Sequence, residues 1–413
     1  VCSSFKPAIE AKDVTRATVC FAALSLLAAC DHELSLGRLE RADASVRADA
    51  SADASIADAG LTPVACGVRG PLIAVGDGAR VSCADAREAP AFRFGMCSCD
   101  DFVSSAELSF DAFGTPNTSD TRYAKGSLGT NAAFFPFAAS IDGSLHVAGD
   151  EGIPTQGELV VGGDLLDRGQ LDSRFAVRVG GDARVAGDVR VSALSVGGTL
   201  TVAQSSAVEV VAGNPPFARD DVVVEAPCDC ATGPDLAALV RAAASDNDNA
   251  QIDLDAASDL KALDGPLELA LPCGRYYVSE LYAPNLITLT LSGHVALYVD
   301  ADLVSEQGGG LRVQLTPGAE LDLVIAGNIS SGGVLELGTA ATPRRVRVYA
   351  GGKGTLYFAG DTTLSGTLYA PTAELVSSGS FELYGAALTR RVVASGPMRV
   401  HYDRALDRVN CGL

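Results

Sequence analysis

Eleven cysteines are the residues of this 413-residue chain best placed to do chemistry. Cys2 and Cys20 fall in an apolar leader, and Cys30 closes the phrase Leu27-Ala28-Ala29-Cys30. That leaves Cys66, Cys83, Cys97, Cys99, Cys228, Cys230, Cys273 and Cys411, an even number in a chain that reads as exported, so disulfides are expected with their connectivity open. Cys97-Ser98-Cys99 and Cys228-Asp229-Cys230 lack the two-residue gap of zinc knuckles and have no histidine nearby in sequence, so no metal is expected there. Oxidised cysteine supplies no thiolate, which argues against cysteine nucleophilic catalysis.

The remaining candidates for acid, base or metal chemistry are scattered. Histidine occurs only at 32, 146, 294 and 401. His32 lies in a polar run and His401 in the terminal phrase, and each is expected at the surface or in packing. No nucleophile elbow, zinc-protease motif, P-loop or dinucleotide fingerprint is present. No catalytic residue and no cofactor is expected. The enzymatic alternative is polysaccharide lyase or glycosidase chemistry, with Glu320, Asp322, Glu336, Glu374 and Glu382 on one face and Arg345 or Arg347 as a basic partner. It rests on fold analogy, and the absence of Trp removes the best sugar-stacking surface. Asp164 and Asp182, eighteen apart, are expected at solvated corners rather than on a metal. The run Asp246-Asn247-Asp248-Asn249 lacks the EF-hand glycine and glutamate and reads as a turn. A formal charge of -20 argues against nucleic acid, which needs clustered Lys and Arg.

These residues sit in a chain whose organisation is legible. Residues 1–29 read as a signal peptide: ATVCFAALSLLAA (17 to 29) follows Lys6, Lys12 and Arg16. Leu27 to Cys30 resembles a bacterial lipobox, which makes Cys30 the lipidation site. Residues 30–63, rich in Ala, Asp and Ser, read as a disordered tether with little to bury. Residues 64–131 form a Cys-rich segment of unreadable topology.

From 132 to 226 the phrases LHVAGD, LVVGGD, VRVGGD and VSALSVGGTLTV recur, and GGD returns after eighteen residues. Two apolar residues in V-x-V point to one side of a strand. Gly-rich corners supply positive φ, and stacked turns build a dry column. Antiparallel hairpins are the competing reading, but their strands are usually longer. Residues 227–275 contain a helix with Thr232 or Gly233 near its cap, Pro234 in its first turn, and Leu236, Leu239 and Val240 on one face. A second, looser array runs from 276 to 413, with Tyr298, Tyr349, Tyr369, Tyr384 and Tyr402 at similar places, which suggests a packed column. The fold class expected is mainly β: a right-handed parallel β-helix in two arrays with a short helical, Cys-containing insertion.

The phrases LPCGRYYVSELY (271 to 282), GHVALYVDADL, AELDLVIAGNI, GTLYAPTAELVSSGSFELYGAAL and VHYDRAL (400 to 406) resemble an uncharacterised domain of exported proteins from myxobacteria and their relatives. FGMCSCDDF and DNDNA extend the likeness over most of the chain after residue 64. The resemblance implies a parallel β-helix, on lipoproteins or proteins linked to surface appendages, and carries no activity. The V-x-V-x-G-D half also resembles polymer-forming bacterial cytoskeletal solenoids, from which export and disulfides set it apart. The function expected is a lipid-anchored surface scaffold, adhesin or envelope component at the outer membrane or cell surface, with a periplasmic or secreted location as the alternative. Its expected partners are the membrane through the anchor, a surface protein or glycan, and further copies through exposed coil ends.

Overall fold

The computed structural model describes residues 92–114, 125–213, 215–230, 233–254 and 260–408, all within the compact unit Asp58–Leu413. The fold is mainly β, and the strands pair in parallel throughout the described residues. The valine-rich phrases therefore do not fold back as hairpins. Leu165 pairs with Ala183 and Ala183 with Leu200, steps of eighteen and seventeen residues that reproduce the sequence period. This is the pairing pattern of a β-solenoid.

Each turn contributes three short strands, and the turns stack into three ladders. Face A includes Leu281–Ala283, Leu303–Ser305, Ile329–Ser331 and Ile153–Thr155. Face B includes Gly310–Leu315, Val334–Leu337 and Leu159–Val161, and face C includes Glu320–Ile325, Val346–Ala350, Met96–Ser98 and Leu165–Asp167. Along Leu145–Val147, Ala183–Val185 and Leu200–Val202 the first and third residues are buried and the middle one is not, as strand alternation requires. The inward side chains form one column, each Val or Leu contributing roughly 1.5–3 kcal/mol by leaving water.

Glycine at the repeated corners has a different reason from the one expected. Gly162, Gly163, Gly180, Gly181, Gly197 and Gly198 are not among the positive-φ residues. Their N–H groups instead bond to the preceding turn, Gly180 to Val161 O at 2.7 Å and Gly181 to Gly163 O at 2.9 Å. A Cβ on Gly180 would stand 2.4 Å from Gly162 O. Close backbone approach, not backbone handedness, excludes other residues. The aspartate that follows caps the next turn: Asp182 N donates to Asp164 Oδ1 at 2.9 Å, and Thr199 N to Asp182 Oδ1 at 2.8 Å. Between faces A and B, hydroxyls do similar work, with Thr155 Oγ1 donating to Gly157 O and Ser377 Oγ to Gly379 O.

Stacking order departs from chain order. Met96–Ser98 lies between residues 387–389 and Leu128–Thr130. Phe102–Ser104 lies between 392–394 and Phe134–Phe135, and Glu107–Phe113 pairs with both Met398–Asp403 and Ala138–Ile141. The two arrays are therefore one continuous stack in which the sequence-late strands precede the sequence-early ones. Residues 96–113, unreadable in the sequence, form the joining turn.

After Phe217–Arg219 the chain must return to the opposite end, where pairing restarts at Leu260–Lys261 and Leu267–Val278. It returns over the outside of face C. Pro227 touches the Gly129 position, Gly233 meets Tyr369, Leu236 meets Gly351, and a helix, α1 (Leu236–Ala243), crosses the strands Glu320–Ile325, Leu286–Val299 and Leu267–Val278. Its cap is Asp235, which accepts from Ala238 N at 2.9 Å, so Pro234 precedes the helix instead of opening it. Leu236 and Val240 are buried, with Leu239 partly so.

The run 246–249 then closes the end of face C. Asp248 N donates to Arg275 O, Arg275 N to Asp248 Oδ2 at 2.8 Å, and the Asn249 amide bonds Tyr277 N and O at 2.9 and 2.7 Å. It is a turn rich in side-chain-to-backbone bonds, satisfying an otherwise bare strand edge.

Candidate functional site

Neighbouring rungs of face C bring four chemistry-bearing residues together. His294 opens the C-face part of Leu286–Val299, Glu320 and Asp322 stand on the next strand in register, and Arg347 pairs opposite Asp322 on the one after. His294 Nε2 lies 2.6 Å from Asp322 Oδ2. Arg347 donates from Nε to Asp322 Oδ1, from Nη2 to Asp322 Oδ2 at 3.1 Å, and from Nη1 to Glu320 Oε2 at 2.8 Å. Arg347 is 1% exposed and Asp322 2%. Burial by itself would raise the Asp322 carboxyl, but Arg347 and the hydrogen bond from His294 outweigh it and hold it down at about 2. Burial acts to lower the Arg347 guanidinium, and the two carboxylates more than reverse it. Asp322 is thus a fixed anion that orients its partners and neither gives nor takes a proton near neutrality.

The other sequence candidates are placed apart. Glu336 pairs with Arg312 at 2.5 Å on face B, and Glu374 pairs with Arg391 at 3.3 Å at the end of a face-A strand. Glu382, also on face B, accepts from Tyr384 at 3.0 Å and lies 3.2 Å from His401 Nε2. Arg345 ends the short helix Pro343–Arg345. The five acids do not share one face, because successive strands of a turn diverge to different ladders.

His401 Nδ1 also lies 2.7 Å from Asp111, and the ring stacks on Tyr384 with centroids 4.5 Å apart. His146 lies edge-on to Phe94, and burial, opposed by Asp164, takes it down to about 4. Among the described residues no cluster of three His, Cys, Asp or Glu could hold a metal ion.

Cys97 bonds Cys228 and Cys99 bonds Cys230, and Cys273 is also disulfide-bonded. Cys30, Cys66, Cys83, Cys411 and His32, with the leader and tether, lie outside the described residues. The tyrosine column is real but differently composed. Tyr277, Tyr298, Val324, Tyr349, Tyr369, Leu388 and Cys97 follow one another in register on the outside of face C, beneath the return segment. Tyr384 belongs to the His401 stack, and Tyr402 sits opposite Ala112 and donates to Phe92 O.

The three outer surfaces therefore differ. Face C from Tyr277 to Cys97 is covered by the chain itself, and face B presents Arg312, Glu336, Thr363, Glu382 and Arg399 in register. Face A presents Tyr282, Val304, Ser330, Tyr357, Val376, Val393, Val103 and Phe135, each on the next rung. Seven steps of ~4.8 Å give a stripe roughly 34 Å long. Its members are half-buried apart from Tyr357, which is 40% exposed. The sequence signal was an apolar residue at the middle of FVS, LVS and VVA, where a solvated strand would be polar. The stripe could not be assembled from sequence because Val103 and Val393 meet only through the reordered stack.

Residues 218–409 match the family described as a domain of unknown function (DUF7305), a span that takes in the return segment and the sequence-late array. No curated protein and no solved structure matches the chain. Its disulfides belong to an oxidising, non-cytoplasmic compartment. Among the described residues no helix is long and apolar enough to cross a membrane.

Proposed function

We propose that the protein is a lipid-anchored, exported surface scaffold or adhesin that works by presenting a long flat face rather than by catalysis. The face-A stripe carries this reading. It spans eight rungs with Ser330 among its members, crosses the seam at Val393 and Val103, and gives way beyond Phe135 to Asp172 and Arg190, while Arg312 with Glu336 on face B and Arg347 with Asp322 on face C are paired with each other. A contiguous apolar stripe rimmed by polar residues is the usual mark of an interaction surface. The turns are taken as right-handed, because strand-to-parallel-strand connections take that hand almost always. Cys30 supplies the anchor, and the partner is a protein or glycan of the cell envelope.

Two measurements test the reading on the full chain. Palmitate labelling is expected in the wild type and lost in Cys30→Ala; label retained in the variant removes the anchor. Wild-type protein is expected to sediment with purified envelope polysaccharide or outer-membrane fractions, and Val376→Asp with Val393→Asp to stay in solution. Equal sedimentation of both proteins, or of neither, removes the face-A assignment.

A further inference from the structure

We infer that the paired disulfides form a redox-controlled latch on the seam where the turn 96–113 docks onto residues 387–403. Among the described residues the seam is the one place in the stack where adjacent rungs are joined by no short loop. Phe102 meets Val392, Leu108 meets Met398 and Met96 meets Ala387, yet the chain connecting these partners runs the length of the molecule. What shortens that connection is the pair Cys97–Cys228 and Cys99–Cys230, with Cα separations of 5.6 and 5.7 Å. Asn131 holds the segment between them, its amide accepting from Cys228 N at 2.8 Å and donating to Cys228 O at 2.9 Å.

Chain length sets the size of the effect. With the latch closed, the link from Cys230 to the α1 cap Asp235 is five residue steps, at most ~18 Å of extended chain. With it open and the Asn131 bonds to Cys228 released, the free link runs sixteen residue steps from Arg219 to Asp235, roughly 55 Å. Effective concentration falls as about the -3/2 power of length, so the docked seam loses about sixfold in closing probability from length alone.

The two bonds differ in access. Cys97 and Cys228 are buried, whereas Cys99 and Cys230 are half-buried, so a dithiol reaches the outer bond first. Its thiolate attacks one sulfur of Cys99–Cys230, forms a mixed disulfide and releases the other as a thiolate. The second thiol of the reductant then resolves the adduct. Two electrons and two protons pass to the cysteines, and the dithiol leaves as its own disulfide. The inner pair follows by the same steps. Opening exposes the edges of Glu107–Phe113 and Met398–Asp403, which His401, on the second, also bridges through Asp111 on the first. This device does not depend on the anchor or on the face-A partner.

Hydrogen exchange read by mass spectrometry tests it on the full chain, oxidised and in dithiothreitol. Because dithiothreitol also reaches Cys273, the variant with Cys97, Cys99, Cys228 and Cys230 all changed to Ser is measured without reductant. In both reduced protein and variant, amides of 96–113 and 387–403 are expected to exchange about sixfold faster or more, with Val189–Val196 and the C-face part of Leu286–Val299 unchanged. Unchanged seam exchange overturns the latch. So does equal acceleration along the whole stack, which is the signature of a general structural staple. If the variant does not fold, protein oxidised first and then reduced in place supplies the same comparison.

Discussion

Two buried carboxyls show how different environments move a pKa in opposite directions. Asp322 is held ionised by Arg347, and removing one partner of a buried pair leaves the other uncompensated. Asp322→Ala is therefore expected to lower unfolding free energy by about 3–5 kcal/mol in denaturant titration, and Asp322→Leu with Arg347→Met to recover most of that loss. A double variant as unstable as the single one would show that the pair does more than satisfy itself. Asp167 is the reverse case. It faces inward at a position equivalent to Val147 and Val185, and its Oδ1 accepts from Gly169 N at 3.0 Å while Oδ2 has no partner. Burial raises its pKa well above the ordinary range, with the Gly169 bond opposing. Its folded-state value exceeds its unfolded value, so the stability it contributes is full below about pH 3.9 and is lost as pH rises toward the folded value, about 1.4 kcal/mol per unit. Asp167→Asn is expected to be more stable than wild type at pH 8, by a margin that shrinks toward pH 4. A margin independent of pH would refute the buried neutral acid.

At the scale of elements, the corner explains the repeat. Each V-x-V strand is too short to hold itself, and its edges are satisfied only by the turns above and below. The corner must bring backbones together, which the glycines permit, and must cap a bare N–H, which the aspartate does. Gly180→Ala puts a methyl 2.4 Å from a carbonyl oxygen, where backbone must move, and is expected to cost about 1–3 kcal/mol. Asp164→Ala leaves the Asp182 N–H uncapped but exposed, and is expected to cost about 1 kcal/mol or less. Thermal denaturation of the two variants orders them; a costlier aspartate than glycine would reverse this account of the corner.

For the whole molecule, the seam decides cooperativity. Val392 is fully buried between Phe102 and Leu375, so Val392→Asp places a charge where the two halves meet. The wild type is expected to unfold in a single calorimetric transition, because every rung is stabilised by its neighbours, and Val392→Asp in two, as the halves part. One transition merely shifted to lower temperature would mean that the seam is no weaker than any other rung. The return segment adds the covering of face C, which leaves face A as the long apolar surface open to a partner.

The sequence by itself determined the rung. Alternation within V-x-V and the eighteen-residue return of GGD are local properties that pointed to parallel stacking, and the cysteine count expected of the exported chain pointed to oxidation, whereas the reason for glycine at the corners was not legible: positive φ was expected and close backbone approach is found. Part of the helix was equally local, although Asp235 displaced Thr232 and Gly233 as its cap because a carboxylate bonds the first free N–H groups better. Only the tertiary structure decided which rung follows which. Any turn with two inward apolar residues fits any other, so periodicity is blind to stacking order. The cysteine pairing, the His294–Asp322–Arg347 cluster and the stripe through Val103 and Val393 all follow from that order, since each joins residues that chain neighbourhood keeps apart and rung neighbourhood brings together.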